Sequence, residues 1–345
     1  MKWIFPVVLL FTLNAHAKSH LQHYGYFGDG ARHILGGNYM PEIRDHSTFT
    51  FIFDDEEAVG DIRRLEEAQA AGLKAILDVQ GIFWAIDENG DWSIRTDYRQ
   101  RWEKYSSKIR PYLGNILAFY MADEPDHQPF RGVKPTPWNI MVEKLEFTAQ
   151  VVRQTFPGAK VMFNYSWVGL HFNLPAPPSF DYVGFFCYGP WDSCMMAGFP
   201  IPEGLRRVRD ELTHPAQKLF IIPEGTSFHY DAHGLSLDQN AIAERADKYL
   251  ELALSEPRVE LLMTFLWQEG TPGSVRNMPP VRERYVSIGK RIKYGDLPDD
   301  PQPTPVPTPT PSPKPTPKQG GLFGKVCADQ SHWLNALFKG LRWCR

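Results

Sequence analysis

The 345-residue chain has no excess of basic side chains: its formal net charge is -3 and its isoelectric point is near 6.4. A phosphate backbone is gripped by clustered Lys and Arg, so nucleic acid is not expected as a partner. A Gly-rich phosphate loop is missing as well. "GDGARHILGG", Gly28 to Gly37, has glycines but neither a G-x-G-x-x-G nor a Walker spacing. No H-E-x-x-H occurs and no H-x-H ends the first apolar run, which argues against the common metal hydrolases. The N-terminal apolar stretch, Trp3 to Leu13, is too short for a comfortable membrane span. Cysteine is scarce, with four residues in all.

Lys2, that apolar stretch, and then Ala15, His16 and Ala17 form the pattern of a secretory signal peptide over residues 1–17, cleaved after Ala17. An uncleaved interfacial anchor is the alternative. A secreted or periplasmic location follows, and no cysteine near the cleavage point indicates a lipid anchor. In an oxidising compartment the cysteines are expected to pair. Sequence proximity favours Cys187 with Cys194 and Cys327 with Cys344, against free buried thiols.

Pro298 to Gly321, "PDDPQPTPVPTPTPSPKPTPKQGG", has proline every second or third residue and reads as a semi-rigid linker over 298–321. It separates a body, residues 18–297, from a tail, residues 322–345. The tail spaces Trp333, Leu337, Phe338 and Leu341 on one helical face beside Lys325, Lys339, Arg342 and Arg345. Such a segment suits contact with a membrane surface or an anionic cell-envelope polymer. A small disulfide-closed knob is the alternative.

Within the body, eight short apolar runs alternate with helical patterns. The runs are His23–Gly28, Thr48–Phe53, Lys74–Gln80, Ile116–Ala122, Lys160–Ser166, Asp181–Tyr188, Lys218–Glu224 and Glu260–Trp267. Helices are expected over Glu57–Ala71, Arg99–Ile109, Trp138–Thr155, Pro202–Leu212, Gln239–Ser255 and Val281–Ile292. Near-continuous apolar strands between amphipathic helices imply a parallel sheet covered by helices. Eight of them in this length fit an α/β fold of the (β/α)8 TIM-barrel type, with a doubly wound open sheet as the alternative.

In a barrel all strand ends point to one face, where sites of this fold are built. "AFYMADEPD" carries an apolar run straight into Asp123 and Glu124, and "KLFIIPE" ends in Glu224. Charge at the end of a buried strand is sensible where the strand emerges at a cleft. Strands four and seven lie across the ring from each other, so Glu124 and Glu224 can flank a bound glycosidic bond as an acid and a nucleophile or base. Asp123, Asn164, Tyr165, Tyr188, Trp267, Trp84, Asp54 and Gln80 follow or end strands and are the candidate substrate contacts; the aromatic ones suit the C–H faces of sugar rings. Asp55, Asp78, Trp167 and Trp191 occupy similar positions. The competing reading has the acids as loop residues that cap the following helices. His229 and His233, spaced i and i+4, would hold a metal only in a helix, and Gly234 makes the segment read as loop.

On "ADEP" and "IIPEG" the chain resembles the clan of retaining glycoside hydrolases with a (β/α)8 barrel, over about Leu21 to Gly295. The resemblance implies Glu124 as acid/base, Glu224 as nucleophile, Trp267 as a sugar platform, a polysaccharide substrate, and no metal or organic cofactor. One departure is Asp123, where the clan usually has Asn. An ionised Asp can only accept from a sugar hydroxyl, and its charge beside Glu124 favours the protonated acid. A non-catalytic carbohydrate-binding barrel and a hydrolase of unrelated chemistry are the alternatives.

Overall fold

A computed structural model of the chain describes residues 19–29, 38–53, 59–86, 91–126, 136–194, 198–227, 238–267 and 273–297. The signal-peptide, linker and tail assignments, the Cys327–Cys344 pairing, His229 and His233 lie outside the described residues.

Eight parallel strands form a (β/α)8 barrel. They are β1 (His23–Tyr26), β2 (Phe49–Ile52), β3 (Lys74–Asp78), β6 (Ile116–Asp123), β7 (Val161–Tyr165), β8 (Tyr182–Phe186), β9 (Lys218–Ile222) and β10 (Val259–Thr264). The ladder runs β1-β10-β9-β8-β7-β6-β3-β2. Thr48 closes the remaining seam: its N–H donates to Tyr24 O at 2.8 Å, and Tyr24 N–H donates to Thr48 Oγ1 at 2.9 Å. The larger outer helices are α2 (Val59–Ala70), α4 (Tyr98–Ile109), α5 (Trp138–Thr155), α7 (Ile201–Asp210), α8 (Gln239–Ser255) and α9 (Pro279–Tyr294). Every expected strand and helix of the body is therefore present, with ends shifted by a few residues at most.

Alternation along the strands sorts the core into two shells. Phe49, Phe51, Ile76, Tyr120, Met162, Tyr182, Phe220, Ile222, Leu261 and Met263 fill the lumen. Their neighbours in sequence, among them Leu77, Phe119, Phe163, Val183, Ile221 and Leu262, face the helices. So many rings fit inside because some strands contribute no side chain there. A Cβ on Gly184 would lie 2.3 Å from Phe220 Cζ, so the glycine is the space that the phenyl ring occupies.

The structure adds elements that the sequence patterns did not indicate. α1 (Met40–Ile43) precedes β2; α3 (Gln80–Phe83) and an antiparallel hairpin, β4 (Trp84–Ile86) with β5 (Trp92–Ile94), follow β3; α6 (Trp167–Phe172) follows β7. Among the described residues no helix is long and apolar enough to cross a membrane.

Candidate active site

β6 is longer than the other barrel strands and carries its pairing out to Asp123, opposite Asn164 of β7. The next residue, Glu124, keeps contact with β7 through its N–H, which donates to Asn164 O at 3.2 Å. It does so at φ 53°, in the left-handed region that a non-glycine residue occupies only when its surroundings hold it there.

Asp123 sits within a hydrogen-bonded cluster. The Tyr120 hydroxyl donates to its Oδ1 at 2.8 Å and also contacts Asn164 Oδ1. Gln80 Oε1 accepts the Asp123 N–H at 2.7 Å, while the Gln80 amide donates to Asp78 Oδ1 at 3.2 Å. Gln80 thus ties the end of β3 to the end of β6. Burial raises the Asp123 carboxyl above the usual range, and the bonds from Tyr120 and Asn164 pull it back in part. Burial raises Tyr120 well above its ordinary value, and the nearby charges of Asp123, Asp78 and Glu124 add to the effect.

Glu224 follows Phe220 and Ile222 in the inward-facing alternation and pairs with Phe265 across an isolated parallel bridge. It has no exposed surface. Arg245 of α8 donates to its Oε2 through Nε at 3.0 Å and Nη2 at 2.6 Å. Tyr285 of α9 donates its hydroxyl to the Glu224 carbonyl at 2.5 Å. Burial pushes the Glu224 carboxyl up to about 7, and the Arg245 charge, its hydrogen bonds and the Gly189 N–H oppose that rise.

Tyr188 links the two sides. It stands just beyond β8, beside the Cys187–Cys194 disulfide. Burial, Tyr249 and the charges of Glu124, Asp123 and Glu224 together raise its phenol well above the ordinary value. One hydroxyl therefore feels the carboxylates at the ends of β6 and β9 at once. Beside them lies an aromatic floor. Phe27 stacks on Phe51 at 4.4 Å and touches Phe53 and Phe265, while Phe265 stacks on Tyr188 at 6.0 Å.

Of the residues expected to touch substrate, Asp123, Gln80, Asn164 and Tyr188 gather at this end of the lumen. Three others pack elsewhere. Tyr165 alternates outward from Asn164, and its hydroxyl donates to Leu174 O at 2.6 Å. Trp84 starts the hairpin with its indole N–H on Met121 O at 2.7 Å. Trp267 is 2% exposed and packs against Tyr26 and His46 in the outer shell. Asp54 and Asp55 lie outside the described residues, as does the side chain of Trp167; Trp191 is half-buried with its edge on Tyr249.

Three contributors had no signal of their own. Arg245 is one basic residue in an amphipathic helix, Tyr120 is one apolar position in a strand, and Asp126 is the last acid of "ADEPD". Asp126 accepts from Ser166 N–H at 2.9 Å, Ser166 Oγ–H at 2.6 Å and Gly169 N–H at 2.6 Å, anchoring the connection after Glu124 to the start of α6. Burial lifts its carboxyl to about 6 against those bonds. Among the described residues no group of three or more His, Cys, Asp or Glu is placed to hold a metal ion.

No family model matches the chain, and no curated protein matches it. Solved structures do share its architecture. A GH5_18 protein from Streptomyces cattleya in complex with Manb1-4GlcNAc is 11% identical, with a TM-score of 0.52, covering 82% of this chain and 83% of that one. A GH113 beta-1,4-mannanase is 15% identical, with a TM-score of 0.46, over 79% of this chain and 99% of that one. An endocellulase from Pyrococcus horikoshii is 12% identical, with a TM-score of 0.48, over 80% and 92%. The likeness is one of fold: the chain is a (β/α)8 barrel, and these structural neighbours are glycoside hydrolases.

Proposed function

We propose that the chain is a secreted glycoside hydrolase that cleaves a polysaccharide with retention of anomeric configuration. Glu124 is its acid/base and Glu224 its nucleophile. The observation that carries the reading is that Glu124, hydrogen-bonded to Asn164 O just past the end of β6, and Glu224, bridged to Phe265 just past β9, stand at the same end of a parallel barrel, a hundred positions apart in sequence. The barrel shared with a GH5_18 protein bound to a disaccharide supports the same ligand class.

In the first step Glu224 attacks the anomeric carbon as the bond to the leaving oxygen breaks, and Glu124 gives that oxygen its proton. In the second, water attacks the same carbon, its proton passes to Glu124, and the bond to Glu224 breaks. Asp123, Asn164, Gln80 and Tyr188 are assigned to the hydroxyls of the bound sugar. The Phe27, Phe53 and Phe265 floor gives a pyranose an apolar surface.

The rival reading, a carbohydrate-binding barrel without catalysis, draws on one observation: Glu224 is buried and ion-paired, as a purely structural acid would be. Incubating the purified full chain with a panel of polysaccharides and assaying new reducing ends separates the two. Release of reducing sugar supports hydrolysis; binding to a glycan without release supports the rival.

A further inference from the structure

We infer that Arg245 is a positioning residue that sets the orientation and ionisation of the Glu224 carboxyl and leaves Oε1 as the oxygen that attacks the sugar. The inference rests on the glycosidase reading above.

Glu224 enters the lumen from β9, whereas Arg245 arrives from the second turn of α8 on the outside. Its side chain is 9% exposed, so the guanidinium is committed to this contact at the cost of its hydration. Nε and Nη2 both reach the same oxygen, Oε2, at 3.0 and 2.6 Å. Two donors in a rigid fork on one oxygen restrict rotation of the carboxylate, which a single flexible ammonium does not do. The other oxygen, Oε1, is buried with no hydrogen-bond partner. That asymmetry is what a nucleophile requires: one oxygen held and the other with its lone pairs unengaged.

The support behind Arg245 has the same logic. Tyr249 lies one turn further along α8 and donates its hydroxyl to Cys187 O at 2.5 Å. Cys187 and Cys194 close the segment that presents Tyr188 and Gly189, and the Gly189 N–H lies near enough to the Glu224 carboxyl to lower it against its burial. One helix face thus fixes both the cation and the loop around the nucleophile. The groups facing Glu224 are Arg245 from α8, Tyr285 from α9, and Tyr188 with the Gly189 N–H from beyond β8. Among these Arg245 is the one cation. Burial drives the carboxyl toward its protonated form, which cannot attack carbon, and Arg245 works against it.

The test compares the full chain with Arg245→Lys and Arg245→Met, measuring kcat/KM from pH 4.5 to 9 on the best glycan found. The acid limb should move up in the order wild type, Lys, Met, by about one pH unit or more in the Met variant, with kcat falling more than KM rises. A limb at the wild-type pH in both variants, with only KM raised, would overturn the inference. If the Met variant does not fold, the Lys variant decides: an upward limb supports the assignment and an unmoved one refutes it. Titrating the Glu224 carboxyl by 13C NMR, assigned through Glu224→Gln, keeps the outcome separate from the glycosidase reading. In a wild type that hydrolyses no glycan, a carboxyl that titrates higher in Arg245→Lys still supports the positioning role, and one that titrates unchanged removes it.

Discussion

Glu224 is under two opposed influences, and their balance fixes where it is active. Desolvation lifts its carboxyl to about 7 even with Arg245 in place. A nucleophile must be ionised, so the ascending limb of kcat/KM on any glycan is expected to follow one ionisation near 7, while loss of the Glu124 proton sets the descending limb. A profile already flat from pH 5 would mean that the attacking group is not this carboxyl. Glu124 differs in kind. It sits at φ 53°, so its direction is set by backbone as much as by side chain, and the hydrogen bonds of its neighbours keep the strand end in that state.

At the scale of elements, the site is held by connections rather than by the strands alone. Asp126 joins the segment after β6 to α6 through three donors. Asp126→Asn keeps one acceptor oxygen and turns an NH2 toward an N–H or hydroxyl. Leaving a buried donor unmet costs about 1 to 3 kcal/mol, and denaturant unfolding at pH 5, below the point where the Asp126 carboxyl ionises, should show a loss of that size. An unchanged midpoint would mean that the anchor contributes nothing. The Cys187–Cys194 bridge closes a short loop, for which chain entropy gives about 2 kcal/mol. Replacing both cysteines by alanine should lower stability by roughly that amount and reduce kcat, because Tyr188 and Gly189 lie inside the loop. Equal melting curves with and without reductant would contradict this.

Helices and strands were legible in the sequence where the pattern was long and periodic. Trp138–Thr155 and Gln239–Ser255 have the expected ends, since a buried stripe repeats along them. Asp123 and Glu124 stood out because charge followed a buried run. What stayed hidden depends on three-dimensional neighbours. "QGIFWAI" is apolar enough to be read as a strand end with an exposed Trp84. Instead it turns through α3 into a hairpin, because the indole N–H finds Met121 O from another strand. Trp267 follows a strand as a sugar platform would, but the chain leaves the ladder there and the ring drops onto Tyr26 and His46. Arg245 resembles any arginine of an exposed helix until the fold places Glu224 beside it.

At the scale of the whole molecule, buried titratable groups couple folding to pH with opposite signs. Asp126 and Glu224 are raised, so the stability each contributes is present below its unfolded value and is lost as pH rises through about 6 and about 7. His46 is lowered to about 4 by burial. Its contribution is full above the unfolded value near 6.5 and is lost as pH falls toward 4. His46→Phe removes that part alone. Relative to the variant, the wild type should lose up to about 3 kcal/mol between pH 6.5 and 4, read from urea unfolding at each pH. A difference that does not change with pH would show that the imidazole is as accessible to protons folded as unfolded.

The two glutamates carry the account, and their amides test it most directly. Glu224→Gln keeps the shape but cannot attack carbon, so it should abolish turnover while retaining glycan affinity. Glu124→Gln should spare an aryl glycoside with a good leaving group in the first step and then stall as the glycosyl-enzyme, because no base activates water. Azide needs no base, and should restore turnover in that variant alone, giving a glycosyl azide of retained configuration. Hydrolysis of the best natural substrate by both variants within about tenfold of wild type, under ~1.4 kcal/mol of transition-state stabilisation, would show that neither glutamate is catalytic.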